Sequence, residues 1–203
     1  MSSLEESLLA TQLHSGVTFQ ELTMPGAVLV GKTFEDCRFE NCSFSAVDFS
    51  RCRILGCQFE ASDLSNASFR GARLRDTRFT QCKLLGLQWV QLEDLVNPTF
   101  QACNLSFSNF AALKLKKTCF AECILRDVDF SDADLTESDF RSADLLSARF
   151  VHTQLAKADF RGAVNYSLNP IENKIKGARF SLPEALGLLV GLGIRVEGQT
   201  DHD

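Results

Sequence analysis

Three groups of residues in this 203-residue chain could do chemistry: eight cysteines, three histidines and a dense run of carboxylates. Cys37-x4-Cys42 and Cys52-x4-Cys57 invite a metal or disulfide reading. The same spacing separates many residues that are not cysteine, however, so it reports a repeat and not a ligand set. Seven of the eight cysteines fall in one recurring slot and read as small buried apolar groups. His14 and His202 lie near the chain ends, and His152 has no nucleophile or ligand beside it. There is no Gly-rich phosphate loop and no motif of spaced metal ligands. The reading is a protein that is not an enzyme and has no catalytic residue, cofactor or metal. The carboxylates say more. Asp127, Asp129, Asp132, Asp134, Glu137, Asp139 and Asp144 face a single base, Arg141, within residues 127–144. Such charge suits attraction to a basic partner surface.

The element that must position these groups is a repeat of five. From Phe100 to Ala163, Phe and Leu head alternate fives without exception. No helical amphipathicity, with its period of 3.6, produces that spacing. An earlier block is centred on Phe34, Phe39, Phe44, Phe49, Ile54, Phe59, Leu64, Phe69, Leu74, Phe79, Leu84 and Trp89. The residue two before each centre is mostly small: Cys37, Cys42, Cys52, Cys57, Ala67, Ala72, Cys103, Ala133, Ala143 and Ala158 are examples. Two inward residues separated by one outward residue are what strand alternation demands, which leaves three polar positions for water.

The register slips once. Trp89 and Phe100 are eleven positions apart where ten would hold it, so one residue is inserted in VQLEDLVNPTF. Carrying the fives forward puts Asp94 where an inward residue is due and Pro98 in a small-residue slot. The expectation is a bulge or short loop that re-aims the surface, the one candidate for a functional loop within the repeats.

Composition fits one globular domain, with 45% hydrophobic and 23% charged residues. Seventeen Phe against one Trp and one Tyr suit a core in which one residue type recurs at equivalent positions. The net charge of −5 argues against direct binding to nucleic acid by overall attraction. Basic Arg70, Arg73, Arg75 and Arg78 read as solvated surface. The N-terminus lacks a signal-peptide pattern and no apolar run reaches membrane-spanning length, so the expectation is a cytoplasmic chain, off the membrane, with reduced thiols.

The units ADLTE, ADLLS and ADFRG resemble the pentapeptide-repeat family, whose consensus is A(D/N)LXX. The resemblance implies an all-β solenoid, a right-handed quadrilateral β-helix in which each five makes one face and four fives one coil. Residues twenty apart then stack. Phe100, Phe120, Phe140 and Phe160 form one column, and Phe110, Phe130 and Phe150 the opposite one. Cys37 with Cys57, and Cys103 with Cys123, come within disulfide reach on adjacent coils. The seven acids become a belt around the tower, although the position before each centre is commonly Asp or Asn in this family.

The expected organisation is a lead over 1–16, repeats over 17–180 with the break near 90–99, and a C-terminal element over 181–203. Ser181 reads as an N-cap with Glu184 as its capping-box partner. Leu186, Leu189, Leu192 and Ile194 give that helix an apolar side, and the tail EGQTDHD is expected to be loose. This end block is similar to the topoisomerase-protecting Qnr, MfpA and AlbG group. AVNY followed by IKGARFSLPEA looks most like AlbG, the albicidin self-protection protein. The resemblance implies a homodimer joined end to end through the C-terminus, with Phe180, Leu182, Leu186, Leu189, Leu192 and Ile194 at the junction. It implies a rod that mimics DNA and occupies DNA gyrase, or topoisomerase IV, against an inhibitor such as albicidin or a quinolone. A scaffolding protein with a different protein partner is the alternative.

Overall fold

A computed structural model describes residues 3–195. Strand pairing settles the coil: Leu13 pairs with Thr33, Thr18 with Arg38 and Thr33 with Arg53, each twenty residues on. Four fives therefore close one turn of a right-handed quadrilateral β-helix. Face one is a parallel sheet of β1 (Leu13–Ser15), β3 (Thr33–Glu35), β5 (Arg53–Leu55), β7 (Arg73–Arg75) and β9 (Asp94–Val96). Face two holds β2 (Thr18–Gln20), β4 (Arg38–Glu40), β6 (Gln58–Glu60), β8 (Arg78–Thr80) and β10 (Thr99–Gln101). Faces three and four join coil to coil by single bridges such as Thr23↔Ser43 and Val28↔Asp48, and after β10 all four faces do so.

Two local devices turn the chain. The residue two after nearly every centre has positive φ, for example Asp36 at 51° and Glu122 at 60°. The residue before a centre, when Asp or Asn, accepts a hydrogen bond from the backbone N–H two residues on: Asp48 from Ser50 at 2.9 Å, Asp63 from Ser65 at 2.9 Å, Asn109 from Ala111 at 2.9 Å. These are Asx turns, which hold the corner while the ladder bonds the next coil.

The core is aromatic. On face two an unbroken stack runs through Phe19, Phe39, Phe59, Phe79, Phe100, Phe120, Phe140, Phe160 and Phe180, with centroid separations of 4.5–5.4 Å. Face four answers with Phe49, Phe69, Trp89, Phe110, Phe130 and Phe150. Across the core the two columns meet edge to face, as Phe110 and Phe120 do at 5.6 Å. Offset stacks and edge contacts are the two arrangements that the ring quadrupole favours. All eight cysteines are free, and seven are buried in the small slot. The Cys52 thiol donates to the Leu29 carbonyl at 2.9 Å, and burial pushes its pKa up to about 11.

The structure departs from the sequence expectation in three places. The boundary between the lead and the repeats falls earlier than residue 17. The lead contains α1 (Ser3–Ala10), whose Leu8 plugs the open end of the core, and β1, so the solenoid already begins at Leu13. Lys32 occupies a slot that is small elsewhere because its ammonium donates to the Leu9 and Thr11 carbonyls at 2.8 and 2.6 Å, capping α1. At the break, the extra residue is taken up in a 3-10 turn over Trp89–Gln91. Face one then pairs twenty-one residues on, Arg73 with Asp94 and Leu74 with Leu95. Leu95 takes the centre, while Asp94 points outward to the Arg75 guanidinium at 2.7 Å. Pro98 is buried in the small slot, as the register implies.

The third departure is at the C-terminus. The Ser181 hydroxyl accepts the Gly162 N–H at 2.8 Å and so belongs to the last coil, not to a helix cap. A 3-10 turn over Glu184–Leu186 follows without a side-chain cap, and α2 covers Gly187–Gly191. Gly191 has no room for a side chain: an added Cβ would come within 2.9 Å of Pro170 and 3.2 Å of the Leu168 carbonyl. The helix thus lies tight on the segment in which the fives dissolve. Residues 197–203 of the expected tail, with His202, lie outside the described residues.

His14 sits at a face-one centre, stacked on Phe34 at 5.3 Å and edge-on to Phe19 at 5.4 Å. Its Nε2 is buried without a hydrogen-bond partner. Burial pulls its pKa below 6.5, and the Lys32 ammonium adds to that against partial support from the Leu8 and Thr11 backbone. The unfolded chain therefore binds the proton more readily, and stability falls as pH drops below about 6.5. Carboxylates titrate mainly at lower pH, and substituting His14 separates its contribution from those of the other two histidines. His14→Phe, which continues the column, is expected to raise the melting temperature more at pH 5 than at pH 8. Equal gains at both pH values would refute this assignment.

Candidate functional site

The seven acids do encircle the tower, but in two structural classes. Asp129, Asp134, Asp139 and Asp144 are the Asx residues of four successive faces, accepting from Ser131, Thr136, Arg141 and Leu146 N–H at 2.8, 3.2, 3.0 and 3.2 Å. Asp127, Asp132 and Glu137 occupy corners, with φ of 55°, 60° and 62°.

Most belt acids meet a cation. Arg141 forks onto Asp139 at 2.7 Å, and Arg126 reaches Asp144 at 2.7 Å from eighteen residues back. Lys116 stands 3.3 Å from Asp134 and Lys117 3.8 Å from Glu137, and the His152 imidazole, a cation only when protonated, lies 3.6 Å from Asp132. The run of one-sign charge in the sequence is therefore offset from the coils above and below. Residues 112–161 carry nine acids against eight bases. The Arg141 bond holds the Asp139 carboxyl below its usual range. For Asp144, burial works the other way, but Asn165, Arg126 and the Leu146 N–H outweigh it and the pKa falls. These are surface pairs of small individual worth. Asp127 and Asp129 have no ion pair among the described residues.

At the C-terminal end Phe180 is half-buried, stacked on Phe160 at 5.1 Å and tilted on Tyr166 at 5.7 Å, so it is a core residue at the rim. Leu188 packs against the core, with Leu186 and Leu189 half-buried. Leu182, 74% exposed, and Leu192 and Ile194 are left uncovered. Sequence reasoning missed Val190 and Ile171, which are equally bare. The irregular stretch VNYSLNPIENKI was the only signal for Ile171, and Val190 lies within the apolar run of the C-terminal helix. Tyr166, tilted on Phe160 and Phe180, has a buried hydroxyl without a partner, and burial, with the charge of Glu184, raises its pKa to about 12.

Among the described residues no group of His, Cys, Asp and Glu is placed to hold a metal ion, and no helix is long and apolar enough to cross a membrane. The model of the pentapeptide repeat region matches residues 32–94 and 93–160. The chain belongs to the pentapeptide-repeat family. No curated protein matches this pentapeptide-repeat protein by sequence. Among solved structures it is similar to QnrB1, a plasmid-mediated fluoroquinolone resistance protein. One trypsin-treated variant of QnrB1 aligns with a TM-score of 0.64 at 21% identity, over 89% of this chain and 100% of that one. A second trypsin-treated variant gives 0.65 at 21% identity, over 91% and 97%. At that identity the likeness establishes the shared fold.

Proposed function

We propose that this pentapeptide-repeat protein is a non-enzymatic, cytoplasmic rod that binds DNA gyrase, and topoisomerase IV by the same surface, and shields it from an inhibitor of the albicidin or quinolone kind. The observation that carries the reading is the bare apolar C-terminal end two coils from the acidic belt. Two copies joined there would set a belt on either side of a two-fold axis. A symmetric rod with acids near its middle suits a basic two-fold saddle that ordinarily holds DNA. The QnrB1 likeness supports the same class, since that protein confers fluoroquinolone resistance.

The ion pairing within the belt favours a second reading, a scaffold with an unrelated protein partner in which these acids serve the corners. Supercoiling by purified gyrase, with and without a fluoroquinolone or albicidin, separates the two. Rescue or inhibition by micromolar protein supports the first, and neither effect at that concentration ends it.

Neutralising Asp129, Asp132, Asp134 and Glu137 together, to Asn or Gln, keeps every Asx acceptor. It is expected to leave the melting temperature within a few degrees while weakening gyrase binding severalfold. Asp→Ala at the Asx positions instead loses the turn bond, about 1 kcal/mol each. Undiminished gyrase binding by the Asn/Gln variant would return the acids to a purely structural role.

A further inference from the structure

Face three of the tower breaks the rule that outward positions are polar. Phe107, Ile124, Leu146 and Val164 are all exposed there, on four successive coils. The bridges Asn104↔Ile124, Ile124↔Asp144 and Asp144↔Val164 put Ile124 and Val164 in one column, with Asp144 between them. Leu146 lies across the same face, two residues beyond Asp144. Successive coils are about 4.8 Å apart, so the strip is about 15 Å long.

Phe107 is the most unusual member. It is 62% exposed and occupies a corner at φ 63°. It is the only large apolar residue among the described corner positions of positive φ; the others carry Gly, Ala or a polar side chain. Neither solvent nor backbone favours Phe in that place, and folding gains nothing evident from it. Residues that are poorly suited to their local position tend to mark function.

Charge on the margins indicates what would cover the strip. Within it, Arg126 and Asp144 neutralise each other at 2.7 Å. On one edge the corner residue Glu122 is exposed and forms no ion pair among the described residues. On the other, Asp127 sits directly beneath Phe107, followed by Asp129, and neither has an ion pair among the described residues. Arg149 follows Asp129 one coil on without forming one. The face thus carries Ile124, Leu146 and Val164 around the mutually neutralised Arg126 and Asp144, Phe107 at one margin, and acids without an ion pair among the described residues at both margins.

We infer that face three between Phe107 and Val164 docks an amphipathic polypeptide segment, apolar along its midline and carrying Lys or Arg on both margins. The apolar strip supplies affinity by burial, and the three acids set orientation and approach. This holds whichever protein carries the segment and does not depend on gyrase being that protein.

The test uses the full chain and two synthetic helical peptides of equal length and charge, one of Leu and Lys and one of Ser and Lys. Fluorescence anisotropy reads binding. The wild type is expected to take the Leu–Lys peptide and to bind the Ser–Lys peptide much more weakly. The quadruple variant Phe107→Asn, Ile124→Asn, Leu146→Thr, Val164→Asn should lose about tenfold or more for the Leu–Lys peptide. Its melting temperature should be unchanged or higher, since all four sites are exposed and Asn suits a corner. Glu122→Gln, Asp127→Asn, Asp129→Asn should flatten the salt dependence and cost severalfold. Unchanged affinity in the quadruple variant, equal binding of both peptides, or no binding of either by the wild type would overturn the inference. So would a quadruple variant that turns a wild-type dimer into a monomer, because the strip would then belong to a second copy.

Discussion

Phe120→Ala is expected to cost about 3–5 kcal/mol and to change the shape of the unfolding transition as well as its midpoint. The ring is fully buried. It is stacked between Phe100 at 5.4 Å and Phe140 at 5.1 Å, and edge-on to Phe110 and Phe130, both at 5.6 Å. Deleting it removes the buried area, leaves a cavity that rigid coils on both sides cannot close, and interrupts the stack in its middle. For a chain of this size that corresponds to a melting temperature lower by about 10 °C. A solenoid is held by interfaces between neighbouring coils, so a defect at Phe120 separates the coils before it from those after it. The melt should broaden or split into two steps. Phe180→Ala, at the half-buried rim, should shift the midpoint less and leave one transition. Phe120→Leu should lose only part of the effect, because Leu is what faces one and three place at the same level. Calorimetry decides. A single sharp transition for Phe120→Ala, displaced no more than for Phe180→Ala, would refute the picture of coupled coils.

The core was legible because it rests on local periodicity. A large residue every five and a small one two before it hold through Cys, Ala, Ser and Thr alike, and the structure buries them in those roles. What escaped depended on contacts between residues far apart in sequence. His14 is a core centre, but polarity and an isolated position near the end hid it; only its distance of twenty from Phe34 marked it. Asp94 misled because one inserted residue can be absorbed anywhere between two centres. The chain absorbs it before Leu92, in the 3-10 turn. Ser181 had the local grammar of a helix cap, yet a coil nineteen residues earlier claims its hydroxyl. The belt shows the same limit most clearly. Counting along the chain finds one base among the acids, whereas a coil brings in Lys116, Lys117, Arg126 and His152 from other turns. Net charge along a window of sequence overstates the field wherever stacking interleaves distant windows.

Val190→Glu with Leu192→Glu is expected to convert the proposed end-to-end dimer into monomers, with the mass by light scattering falling from twice 22.5 kDa to 22.5 kDa. Both side chains are exposed at the end of the tower and neither fills the core, so the fold does not need them. Leu188 and Gly191, which seat α2 on the last coil, are left untouched. That makes the double substitution cleaner than deletion after Ser181, which would also strip Leu188 from the core. A two-fold junction counts each residue twice. Covering one such side chain contributes about 1.5–3 kcal/mol, and four glutamates brought together there would have to be desolvated against one another. Val28→Glu, at an exposed apolar site near the other end, is the control and should leave the mass unchanged. A monomeric wild type, or a variant that stays dimeric, would refute the junction. The consequence for function follows from geometry. Each half of the dimer would present the same face to its partner, so a monomer keeps every contact of one half and loses only the simultaneous engagement of the other. Gyrase binding by the double variant should then weaken by far more than the substitution of any single belt acid, although residues 190 and 192 need touch no partner other than a second copy of the chain.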